Sequence, residues 1–77
     1  MKAIYKKCAD VMAWIVENKK VPMPVDVFAN ICEEDVDNVL SELKRHDCIF
    51  FSNKKTVWSI KINDAGRLLD YYLNLSK

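Results

Sequence analysis

A chain of 77 residues that is 51% hydrophobic and 30% charged, with one glycine and two prolines, has the make-up of a single packed domain. It excludes a disordered tail, a linker or a collagen-like repeat. No apolar run is long enough for a membrane-spanning helix, and charge returns within Met1-Lys2-Ala3-Ile4-Tyr5-Lys6-Lys7 before a signal-peptide core can form. One cytoplasmic domain over residues 1–77 is therefore expected, and the net charge of +1 points neither to a polyanion binder nor to an acidic mimic.

The first predicted element runs from Lys2 to Asn18. Ile4, Cys8, Val11, Met12, Ile15 and Val16 recur with the spacing of one helical face, while Lys6, Asp10 and Glu17 fall opposite. Val21-Pro22-Met23-Pro24 ends that helix, because neither proline can sit in a helix interior. A short helix, Val25 to Ile31, follows with Pro24 near its first turn and Val25, Phe28 and Ile31 inward. After Cys32 in a tight connection, a third helix is predicted from Glu33 to Asp47. Its inward stripe is Val36, Val39, Leu40 and Leu43; Glu33, Glu34 and Asp35 suit its N-terminal dipole, and Lys44, Arg45 and His46 its C-terminal end.

Cys48-Ile49-Phe50-Phe51 and Thr56 to Ile62 are rich in β-branched and aromatic residues and read as two strands. Trp58, Ile60 and Ile62 alternate with Ser59 and Lys61, which predicts that the first three face inward. Ser52-Asn53-Lys54-Lys55 is a polar turn of hairpin length. Asn63 or Asp64 then caps a last helix through Leu75, with Leu68, Leu69, Tyr72 and Leu73 as its apolar face.

Helix, short helix, longer helix, hairpin, helix is the order of a winged helix-turn-helix domain, and residues 4 to 75 resemble one. Val25 to Cys32 is similar to the second helix and turn of that family, Asp35 to Arg45 to its third helix, and Asp47-Cys48-Ile49 to the approach to its wing. Ile62-Asn63-Asp64-Ala65-Gly66-Arg67-Leu68-Leu69 is similar to the Leu-Thr-x-x-Gly-Arg-x-Leu stretch that opens the last helix in many members. The resemblance implies an α+β fold: three helices, a β-hairpin wing and a C-terminal helix. It further implies a small DNA-binding transcriptional regulator whose third helix enters the major groove of double-stranded DNA. On that reading Asn38, Ser41 and Arg45 read bases, and Lys54, Lys55, Lys19 and Lys20 contact phosphates.

Charge along the chain gives this reading a rival. Residues 1–20 carry net +3, residues 21–43 net −6 with no base at all, and residues 44–77 net +4, with helix 1 contributing Lys2, Lys6 and Lys7. The outward face of the third helix is expected to hold Glu34, Asp37, Asn38, Ser41, Glu42 and Arg45, half of them acidic, where duplex DNA calls for Lys and Arg. The alternative is a winged-helix protein-interaction module, an inhibitor or adaptor of the phage or plasmid type, that docks Glu34, Asp37, Glu42 and Trp14 on a basic partner. Trp14 is expected on the polar flank of helix 1 beside Lys7 and Asp10, and Phe51 outward if Phe50 faces in. Tyr5, Tyr71 and Tyr72 on the terminal helices suggest a homodimer.

Enzyme chemistry is not expected. The chain has no Gly-rich phosphate loop, no HExxH and no GxSxG, and its single histidine has no cysteine partner in a nucleophile motif. Cys8, Cys32 and Cys48 are an odd number without CxxC spacing. His46 and Cys48 form a His-x-Cys that with Cys32 could offer three metal ligands, but Cys8 and Cys48 as small core residues and no cofactor or metal is the expected state.

Overall fold

The computed structural model describes residues 2–51 and 55–77. Helix α1, Lys2–Asn18, buries Cys8, Ala9, Val11, Met12 and Ile15 along the expected stripe and stops where Lys19 turns left-handed at φ 48°. Helix α2, Val25–Cys32, buries Phe28 and Cys32. Val25, expected inside, is exposed, because the inward stripe of a two-turn helix is carried by the Phe28–Cys32 pair and leaves the first-turn valine at the rim.

The third helix is shorter at both ends than its charge pattern predicts. Glu33–Asp35 form a single 3-10 turn, and helix α3 occupies only Val36–Leu43. Glu33 sits at φ 54° and ψ −127°, a reversal that separates α2 from α3 and that a glycine adopts without strain. At the far end Arg45 N–H bonds to Glu42 C=O and His46 N–H to Leu43 C=O, both three residues back, and this tightening ends the helix before Lys44. Val39, Leu40 and Leu43 are buried as expected, with Val36 packed at the edge of the core.

Strands β1, Phe50–Phe51, and β2, Val57–Ser59, form an antiparallel ribbon. Phe50 lies opposite Ser59 and Phe51 opposite Val57, so Trp58 is an extra residue on β2. This bulge breaks the alternation on which the sequence reading rests. Thr56, Val57 and Ile60 are inside, whereas Trp58 is 56% exposed and Phe50 61% exposed. Phe51, expected outward only if Phe50 faced in, packs against the core, with the Lys44 ammonium 5.8 Å from its ring centroid. The bend before α2 is fastened to this ribbon: Met23 N–H donates to Val57 C=O at 2.9 Å, and the buried Thr56 hydroxyl donates to Met23 C=O at 2.9 Å.

Ile62 belongs to the last helix rather than to a strand. Helix α4, Ile62–Leu75, starts one residue before the expected cap, with extended Lys61 at its N-cap and no capping side chain. It lies along α1 and buries Ala65, Leu68 and Tyr72; Leu73, expected on the same face, is exposed. Tyr72 is buried and Tyr5 half-buried, their rings stacked at 6.1 Å between the two terminal helices. Of the three tyrosines read as dimer contacts, only Tyr71 is exposed. The result is an α+β arrangement in which no helix of the described residues is long and apolar enough to cross a membrane.

Two outcomes in urea denaturation check this packing. Val57→Ala lowers stability by about 2 kcal/mol, as loss of buried methyl groups requires, while Trp58→Ala changes it by no more than about 0.5 kcal/mol; the reverse ranking would place the other face of β2 inside. Glu33→Gly raises stability by about 1 kcal/mol through relief of the left-handed backbone, and a loss of that size would show the turn to be unstrained.

Candidate nucleic-acid interface

Helix α3 turns about 100° per residue, so Asn38 and Ser41 lie opposite its buried stripe of Val39, Leu40 and Leu43, and Arg45 extends from the tight turn that follows the helix. The structure brings these three exposed side chains together. With Ile4 from the start of α1 and an edge of Glu42, they line an open cavity of about 380 Å³.

Glu42 corrects the sequence reading. It was expected among the outward acids but is only 7% exposed, turned to the flank of α3 that meets α4. Its carboxylate accepts the Tyr72 hydroxyl proton at 2.9 Å and both carboxylate oxygens accept from Arg45 Nη1, at 3.2 and 3.0 Å. Because Tyr72 spends its one proton on Glu42, its oxygen must accept from His46 Nε2–H across 2.7 Å, which fixes the neutral histidine as the Nε2–H tautomer. His46 also stands edge-on to Tyr71 and Tyr72. Sequence reasoning missed this network; the available signal was a tyrosine within an apolar stripe, since a buried Tyr hydroxyl calls for a polar partner.

Other acids of the 21–43 segment are answered from elsewhere in the chain. Lys7, with a side chain only 15% exposed, donates to Asp35 at 2.8 Å and to Cys32 C=O at 3.1 Å, and lies 3.5 Å from Glu33. The pairing raises the Lys7 pKa and holds the Asp35 carboxyl below its ordinary value. Lys7 is thus a strut between α1 and the α2–α3 turn rather than a free surface cation. Lys55 reaches Asp37 at 3.4 Å, both exposed, so that pair adds little stability but joins the ribbon to α3. Glu34 remains exposed.

Lys19 and Lys20 are exposed on the bend that Met23 fastens to β2, which places them on an element adjoining the one that carries Lys55. Lys54 lies outside the described residues. Trp14 is half-buried with its ring packed against the core, not displayed on the polar flank. Among the described residues no group of three or more His, Cys, Asp or Glu is placed to hold a metal ion. Cys8 and Cys32 are both buried, and burial pushes their thiols up to about 12 and about 11, so both are protonated at neutral pH.

Burial lowers the His46 pKa below its ordinary value of about 6.5, an effect that Arg45 and Arg67 reinforce and Glu42 and Asp47 oppose. The unfolded chain therefore binds this proton more readily than the folded one. The associated stability is present above about pH 6.5 and is lost as pH falls through the lower folded value. Thermal melts at pH 7.5 and 5.5 should show a drop that His46→Gln flattens; an equal drop in the variant would assign it to other groups. No protein-family model, curated protein or solved structure matches this chain, so the reading of the α3 face rests on its own residues.

Proposed function

We propose that this chain is a small winged-helix DNA-binding protein of the regulator type, with α3 as its major-groove helix and the β1–β2 ribbon as its wing. The order α1, α2, α3, ribbon, α4 is compatible with that layout. The observation that carries the reading is the grouping of exposed Asn38, Ser41 and Arg45 on the outer face of α3 while Glu42 turns inward. An amide, a hydroxyl and a guanidinium are the side-chain groups that read base edges. With the Glu42 charge answered by Arg45, the repulsion expected from three acids falls to that of Glu34 and Asp37, and Asp37 lies beside Lys55. Lys19, Lys20 and Lys55, on the adjoining bend and ribbon, supply charge for phosphates.

The rival reading, an acidic face that docks on a basic protein, draws on the same helices. Two of the four residues assigned to it are unsuited to docking as they stand: Glu42 is buried under Arg45, and Trp14 is packed against the core.

Fluorescence anisotropy of a random duplex tests the proposal. Binding in the micromolar range at about 50 mM salt that weakens steeply by about 200 mM is expected, because displaced counterions dominate non-specific affinity. Lys20→Gln with Lys55→Gln should lower the slope of log affinity against log salt by about 2, one per phosphate contact. Absence of binding at the lower salt overturns the proposal and favours a basic protein partner.

A further inference from the structure

Arg45 reaches the surface from a fixed base. Its side chain is 63% exposed, yet one guanidinium nitrogen, Nη1, is held by both oxygens of a carboxylate that is itself 7% exposed. That carboxylate is fixed in turn by the Tyr72 hydroxyl, and Tyr72 is fully buried between Tyr5, Tyr71 and His46. His46 Nε2 completes the chain by donating to the Tyr72 oxygen. The relay runs from the core of α4 through the flank of α3 to the rim of the open cavity that Asn38 and Ser41 share.

We infer that Arg45 reads a guanine in duplex DNA, and that Glu42, Tyr72 and His46 are positioning residues that set its guanidinium for that contact. The inference rests on the DNA-binding reading and names the base its α3 face selects. A guanidinium has five N–H donors in a planar fork. With Nη1 spent on Glu42, the Nη2 and Nε groups remain along the free edge, and two parallel donors match the O6 and N7 acceptors of guanine. Adenine offers a donor at the position of O6 and fits that edge badly. A free arginine must give up much rotamer freedom to make a bidentate contact, whereas one tethered at a corner has surrendered part of it before DNA arrives. Phosphate oxygens could accept the same two protons, so the test must separate a base from the backbone.

The experiment is selection from a randomised duplex library, followed by affinities for the selected site and for single-base variants, adenine or 7-deazaguanine in place of guanine. The expected wild-type site contains a guanine at which Arg45→Ala loses roughly ten- to hundredfold of preference. Arg45→Lys keeps the charge but not the planar fork, so it should lose the guanine preference while weakening random-DNA binding less than Arg45→Ala does. Tyr72→Phe and Glu42→Gln should reduce that preference roughly three- to tenfold, the effect of one freed side chain, with random-DNA binding kept in Tyr72→Phe and strengthened in Glu42→Gln by the lost negative charge. Tyr72→Phe is checked for folding by circular dichroism, and the exposed Arg45→Lys stands if it fails. Equal losses for all sequences would make Arg45 a phosphate contact and overturn the inference. So would a guanine preference that survives both relay variants. If the wild type binds no DNA, the functional reading falls with it, and if it binds without selecting guanine only the inference falls.

Discussion

A charge inside the core has to be answered, and the join between α3 and α4 depends on how the Glu42 carboxylate is answered. Taking a carboxylate out of water costs several kcal/mol even after the protein relaxes around it. Here the Tyr72 hydroxyl, donated from a helix 30 residues away in sequence, and the Arg45 guanidinium offset that penalty. Among the described residues no buried side-chain nitrogen or oxygen lacks a hydrogen-bond partner. Three other features follow from this arrangement. Tyr72 is held in the α1–α4 seam with its hydroxyl aimed at α3, His46 turns Nε2 to the Tyr72 oxygen, and Arg45 is drawn to the rim of the α3 face.

Lys7 performs the matching task at the other end of the helix pair. Its ammonium meets the last carbonyl of α2 and the carboxylate of Asp35, so a single α1 side chain holds the turn whose backbone reverses at Glu33. Helices α2 and α3 are eight residues each and too short to be stable alone, so their mutual angle has to be set by tertiary contacts. Apolar packing supplies most of that, through Phe28, Cys32, Val39 and Leu43. The Lys7 strut and the Glu42 network add direction at the two ends, where packing alone is non-directional.

What the sequence made legible follows from which signals are local. The α1 stripe and the α3 stripe repeat at 3.6 residues without interruption, so the periodicity gives α1 its observed limits, Lys2–Asn18, and the inward residues of α3. Period two on β2 is interrupted at Trp58, and one extra residue moves Trp58 out and Val57 in, while Ile62 is exposed as the first residue of α4. Acids at Glu33 to Asp35 favour a helix N-terminus, but they suit a 3-10 turn equally well, and nothing in the residue type announces a left-handed glutamate. For the candidate site, the positions of Asn38 and Ser41 were legible because they lie opposite the α3 stripe. Glu42 was not, since a helical projection puts it on a flank and only the arrival of α4 decides whether a flank is covered. Charge summed by segment misled for the same reason: the cations that answer the acids of 21–43 come from residues 7, 45 and 55.

An apolar pair, leucine at 42 and phenylalanine at 72, could fill the same seam without desolvating a charge, and exchanges of this kind are often neutral or stabilising. Stability is therefore a poor explanation for a buried glutamate at the α3–α4 join. A leucine and a phenylalanine could not hold one corner of a guanidinium while leaving its other edge open to solvent. That asymmetry separates the Glu42 network from the rest of the core, because its last member is not inside. The chain of hydrogen bonds runs from Tyr72, which has no access to solvent, to an arginine that shares an open cavity with an amide and a hydroxyl. The physical consequence is an exposed donor edge whose direction is set by the interior of the fold.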